Sequence, residues 1–295
     1  MRRFVVALLL TTLCASFALA QGQSAPTLRV VTEDPSLPSE LFYGDVRVKP
    51  IRLRPGTNTR ITIDDNDFFV QQQYIDFLSR FPEADGFNAW MSVLNTCNGD
   101  ATCLNAIDGK RVLVSQSFFQ SQEFQLKGYF VYRFYKASFN RLPTYPEIVT
   151  GMRSVTGQTG EEVFQKRDAF ANGFVTRGDF LAAFPTTMTP TAYVDGLLLA
   201  AEVTVPNRDA LINGLSSSPA TETRASVLRK IVESQEFVTK EHDPAFVAMQ
   251  YYGYLRRAPE QAGYDSWLNY LKTHPGDYKT MVHGFVFSTE YRNRH

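Results

Sequence analysis

Four acidic residues recur at one place in a repeated pattern: Glu123, Asp179, Glu236 and Glu290. Paired carboxylates do acid–base work on glycosidic bonds at separations of roughly 5–10 Å, so a glycan- or cell-wall-active enzyme is one reading. Each acid, however, stands in a similar short motif. Phe118-Phe119-Gln120-Ser121-Gln122-Glu123-Phe124 is followed by Phe174 to Phe180, Ile231 to Phe237 and Phe285 to Tyr291. A group that appears once per structural unit serves the unit. Ser-x-Glu is also a helix cap, with the hydroxyl accepting a backbone N–H and the carboxylate facing the positive end of the helix. An arginine recurs as well, at Arg80, Arg141 and Arg257, and the unit that lacks it still carries Glu236. This co-recurrence predicts bidentate ion pairs Arg80–Glu123, Arg141–Asp179 and Arg257–Glu290. No catalytic residue is assigned.

The two tryptophans, Trp90 and Trp267, offer a sugar-stacking platform together with Phe87 and Tyr264. Packing is the expectation instead, because Gly86 or Gly263 lies one turn before each indole and large aromatic rings dominate core energetics. Tyr74, Trp90, Tyr251 and Trp267 are thus read as repeat core. Asp64-Asp65-Asn66-Asp67 has oxygen donors for calcium but lacks the glycine and terminal glutamate of an EF-hand loop. Helix capping by Asn66 or Asp67 is the expected role, and calcium, as in a calcium-dependent surface adhesin, stays an alternative. His242, His274, His283 and His295 show no zinc-site spacing, and no nucleophile elbow, phosphate loop or dinucleotide fingerprint occurs, so no cofactor is expected. Cys97 and Cys103 bracket Asn98-Gly99-Asp100, a turn sequence, and are predicted to form a disulfide.

The 295 residues balance 30 basic against 30 acidic side chains, which leaves no electrostatic footprint for nucleic acid. A hydrophobic share of 44% is enough for a core. Residues 1–20 read as an export signal: Arg2 and Arg3, an apolar run from Phe4 to Phe17, and Ala18-Leu19-Ala20 as the cleavage site before Gln21. No later stretch is long and apolar enough to span a bilayer. The expected location is periplasmic, cell-surface or secreted.

The elements that must hold these residues fall into an arm and four units. Residues 21–66 are rich in proline, and Val46–Lys49, Ile51–Arg54 and Arg60–Ile63 alternate as short strands do. Arg47, Lys49, Arg52, Arg54 and Arg60 make a basic stripe along that arm, suited either to an anionic polymer or to blocking edge pairing. Beyond Asp67 the pattern is helical. Val70, Tyr74 and Leu78 lie four apart, as do Val131, Tyr135 and Phe139, and Val247, Tyr251 and Leu255. Each stripe runs into Arg-x-Pro, where proline stops the helix. The third unit is degenerate: Val194 and Leu198 keep part of the stripe, and Pro206 keeps the break without the arginine. Asp243-Pro244 and Thr159 to Glu162 read as helix starts. Tyr74–Trp90 and Tyr251–Trp267 share a gapless pattern, so the chain is read as an internal duplication of units of about fifty residues. The expected fold is mainly α, with tandem helical units forming a compact bundle after a short β arm. Units 1 and 2 occupy 67–187, and units 3 and 4 occupy 188–295.

Tyr-x-x-Phe-Leu-x-Arg-x-Pro with a following Gly-x-x-x-Trp, then Phe-x-x-Ser-x-Glu-Phe, resembles the bacterial domain of unknown function 4214 over residues 67–295. More faintly the chain is similar to the helical domain of phycobilisome linkers. Arg60 to Asp67 also resembles the last strand of a calcium-binding β-sandwich repeat. The first resemblance implies a helical module common in exported and surface-layer or toxin-associated bacterial proteins, and it implies no established reaction. The expected role is a non-enzymatic interaction or assembly module that binds a protein or a cell-envelope polymer.

Overall fold

Short runs in the arm pair into two small antiparallel sheets. The computed structural model describes residues 28–31, 40–43, 45–48, 52–157 and 159–295, so the export-signal reading of 1–20 lies outside the described residues. Strands β1 (Leu28–Val31), β2 (Glu40–Tyr43) and β3 (Val46–Val48) form an antiparallel sheet in that order, with Leu41 opposite Val48. β4 (Arg52–Leu53) and β5 (Arg60–Ile61) make a separate hairpin whose turn uses Gly56 at φ +72°. The sequence reading anticipated strands near β3, β4 and β5 but not β1 or β2. The basic stripe is broken at Arg54, whose guanidinium bonds Asp65 at 2.7 Å and Asp67 at 2.8 and 2.9 Å. Arg52 lies over the Phe68 ring. The side chains of Arg47 and Lys49 are outside the description.

The first unit holds α1 (Asn66–Leu78), α2 (Ala84–Asn95), α3 (Ala101–Asn105) and α4 (Lys110–Gln120). A short α5 (Gln122–Phe124) runs through a π-helical turn, Gln125–Tyr129, into α6 (Phe130–Phe139), the first long helix of unit 2. Next come α7 (Tyr145–Ser154), α8 (Gly160–Phe174) and α9 (Gly178–Ala183). Unit 3 contains α10 (Pro190–Ala201), α11 (Arg208–Ser216), α12 (Arg224–Val232) and α13 (Gln235–Lys240). In unit 4, α14 (His242–Gln250) continues as a π turn, Tyr251–Leu255, before α15 (Gln261–Thr273), α16 (Tyr278–Val286) and α17 (Thr289–Arg292). No helix among the described residues is long and apolar enough to cross a membrane.

The leading helix of every unit closes on a left-handed residue: Ser79, Asn140, Glu202 and Arg256, at φ 54°, 47°, 50° and 50°. Counting back from that cap places Tyr193, Leu197 and Ala201 at the stripe positions of unit 3, one residue before the Val194 and Leu198 read from the sequence. Val203 then stands where the other units carry arginine. Two helix starts also move. The N-cap of α1 is Asp65, without a side-chain cap bond, and α14 begins after Glu241, which puts Asp243 inside the first turn. Thr159 does cap α8, accepting from the Glu162 amide at 3.1 Å.

One hydrophobic cluster runs through all four units. α4 packs on α16 and α1 on the Tyr251–Leu255 turn, so unit 1 sits against unit 4. α6 packs on α10 and α12, so unit 2 sits against unit 3. The division at 187/188 groups the units by chain order, whereas the contacts group them as first with last and second with third. At the first of these seams Gly253 meets the Phe77 ring so closely that a Cβ would collide with it. Phe77 and Tyr254 are 4.9 Å apart edge to face.

Candidate functional site

The recurring charged residues form clamps. Arg80 leaves α1 just after the left-handed cap, and Glu123 is held by the turn that Ser121 caps, with Ser121 Oγ accepting from the Phe124 amide at 3.2 Å. Arg80 Nε and Nη2 then donate to the two Glu123 carboxylate oxygens at 2.9 and 2.8 Å. Arg80 also pairs with Glu83 and lies over the Tyr74 ring, 5.0 Å from its centroid. Unit 4 repeats each part. Arg257 donates to Glu290 at 2.8 and 3.0 Å, pairs with Glu260 and covers Tyr251 at 5.2 Å. Ser288 and Ser234 cap the corresponding turns.

Unit 2 corrects the third predicted pair. Arg141 Nη2 and Asp179 Oδ2 are 3.9 Å apart, beyond a hydrogen bond. Arg141 instead makes a bidentate pair with Glu147 at 2.8 Å on both oxygens. Asp179 is taken by Arg177 at 3.0 and 2.6 Å. The physical cause is the cap position. Where the other units carry serine, unit 2 has Arg177, which reaches the neighbouring acid directly. Glu147 closes a capping box with Thr144 at the start of α7, which brings it beside Arg141. In unit 3, Glu236 is exposed.

The acids in these clamps are held ionised. Burial pushes Glu123 upward, but hydrogen bonds from Arg80 and Lys127 outweigh it and keep the carboxyl below its ordinary value. The Arg257 hydrogen bond lowers Glu290, and the Arg177 hydrogen bond lowers Asp179. For Glu147, burial is again outweighed, by Arg141 and the Thr144 amide, and its pKa falls to about 2. A general acid for glycoside cleavage needs a raised pKa, and these shifts run the other way.

The predicted repeat core is met in two degrees. Tyr74 and Tyr251 are buried, at 3% and 4% exposure, whereas Trp90 and Trp267 are half-buried at the flank. Trp90 leans on Phe118 at 5.8 Å between centroids, and Trp267 on Phe285 at 6.0 Å. Gly86 and Gly263 have a specific reason to be glycine. A Cβ there would overlap the phenol oxygen of Tyr74 or Tyr251.

The four-residue acidic run is bound up with arginine. Asp64 pairs with Arg292 and Arg111, while Asp65 and Asp67 pair with Arg54. Among the described residues no group of three or more His, Cys, Asp or Glu side chains is placed to hold a metal ion. Asp67 Oδ1 accepts from the Phe68 amide at 2.9 Å, a contact at the helix start that falls short of the expected cap. Cys97 and Cys103 form a disulfide with Cα atoms 5.6 Å apart, across the left-handed Asn98 and Gly99.

Sequence reasoning missed one feature, a groove of about 620 Å3 between α7 and α8. Tyr135, Phe170 and Phe174 line it, with Gly151 and Gly173. The signal available was the glycine that unit 2 carries at the tryptophan position.

Residues 229–295 match a family described as Domain of unknown function (DUF4214). That span runs from the second half of α12 to the end of unit 4. The C-terminal unit is the part of the chain that is similar to this family. Neither a curated protein nor a solved structure matches the chain. The clamp of Arg257, Glu260, Glu290 and Tyr251 lies within this DUF4214 segment, and unit 1 reproduces it side chain for side chain.

Proposed function

We propose that the protein is an exported, non-enzymatic helical module of the cell envelope or extracellular space, and that it binds a protein or polymer partner. One observation supports this most directly. The recurring acids Glu123, Asp179 and Glu290 are each consumed by an arginine of their own unit, as a scaffold requires. A hydrolase would keep at least one carboxylate protonated and free to donate.

Fractionation of producing cells, followed by successive salt and EDTA washes of the envelope, tests the reading. Retention on the envelope with release by salt is the expected result. Freely soluble protein that degrades envelope glycan, and loses that activity as Glu236→Gln, would overturn it.

A further inference from the structure

The chain holds three Asn-Gly pairs: Asn98-Gly99, Asn172-Gly173 and Asn213-Gly214. Asparagine is chemically labile, and a glycine after it removes the Cβ that hinders attack by the next amide nitrogen. The fold treats the three pairs differently. Asn172 lies in α8 and Asn213 in α11, where the following amide is committed to the carbonyl one turn back. The Asn172 side chain is held as well, donating to the Asp168 carbonyl at 3.0 Å and its carboxylate at 3.2 Å. Asn98 and Gly99 are instead exposed in the turn between α2 and α3. The neighbouring amides of that turn are spent. Cys97 donates to the Leu94 carbonyl at 3.2 Å, Asn98 to Asn95 at 3.0 Å and Asp100 to Cys97 at 2.9 Å. Among the described residues the Gly99 amide has no acceptor and the Asn98 side chain makes no hydrogen bond. Open space surrounds Gly99, where a Cβ would meet nothing within 4 Å.

We propose that Asn98 is a site of spontaneous covalent modification, conversion to aspartate and isoaspartate, and that the fold confines this reaction to Asn98 among the three pairs. The Gly99 nitrogen gives its proton to solvent base and attacks the carbonyl carbon of the Asn98 side chain. The new C–N bond closes a succinimide ring, and the side-chain nitrogen takes a proton from water and leaves as ammonia. Water then adds to one of the two ring carbonyls and breaks its C–N bond. Opening at one carbonyl yields aspartate. Opening at the other yields isoaspartate, with the main chain rerouted through the former side chain. The reaction is independent of any partner. Either product places a carboxylate two residues before Asp100, which caps α3 by accepting from the Cys103 amide at 2.6 Å. Isoaspartate also adds a methylene to the backbone inside the ring that Cys97 and Cys103 close.

Peptide mapping by mass spectrometry tests the site on the full chain, incubated in mildly alkaline buffer below its unfolding transition. Digestion is kept acidic so that the mapping adds no deamidation of its own. The peptide containing Asn98 should gain one dalton and split into two separable isomers. Those containing Asn172 and Asn213 should stay unchanged over the same period. Incubation in guanidinium chloride with reductant removes the fold, and all three pairs should then react at similar rates. No gain at Asn98 in the folded chain, over a time that converts the unfolded one, would overturn the proposal. So would equal conversion of Asn172 or Asn213 in the folded chain, or a preference for Asn98 that persists undiminished in denaturant.

Discussion

Arg80 does three things with one guanidinium: it closes on Glu123, pairs with Glu83 and covers Tyr74. Removing it strands a half-buried carboxylate beside Lys127, so Arg80→Ala should cost about 2 kcal/mol in urea unfolding. Glu236→Ala, at an exposed position, should stay within about 0.5 kcal/mol. Glu147 sets the acid limit. Its folded pKa of about 2 lies below the ordinary 4.5, so its contribution is fully present above pH 4.5 and is lost as pH falls toward 2. By linkage this amounts to at most about 3 kcal/mol. Urea midpoints measured between pH 5.5 and pH 2.5 should fall less steeply in Glu147→Gln than in wild type. The pairings in units 1 and 4 were legible because arginine and acid recur together around the same helix breaks. The unit 2 pairing was not, since replacing serine with Arg177 put a second cation beside Asp179.

At the scale of helices, the Gly86 contact fixes how closely α2 approaches α1. Gly86→Ala would gain helix propensity, yet its methyl group overlaps the Tyr74 hydroxyl, and a loss of about 1–3 kcal/mol is expected. Tyr74→Phe should recover much of that loss, and a double-mutant cycle measures the coupling. The Cys97–Cys103 loop ties the end of α2 to α3. Loop entropy gives it roughly 2 kcal/mol, so Cys97→Ala with Cys103→Ala should lower the unfolding free energy by that amount and abolish its sensitivity to reductant. Serine caps, left-handed ends and Arg-x-Pro breaks are local, which is why helix existence was legible while the starts of α1 and α14 shifted by a residue or two.

For the whole molecule, the seam between the first and last units is the decisive contact. The Asp76 side chain is fully buried there, with Arg256 at 3.3 Å and the Tyr291 hydroxyl at 3.2 Å, and Ser115 bridges Gln73 and Tyr254. Residues 67–187 expressed alone would leave Asp76 without either partner and would expose the α4 face that α16 covers. That fragment should show no cooperative thermal transition, as judged by circular dichroism. The chain's own residues dictated four helical units, the serine-capped turns and the clamps of units 1 and 4, because each depends on neighbours within one unit. Only the tertiary structure decided that unit 1 would dock on unit 4, that Arg141 would close on Glu147, and that unit 2 would keep an open groove. Those outcomes depend on how helices far apart in sequence cross, and on side chains whose partners are set only once the helices meet.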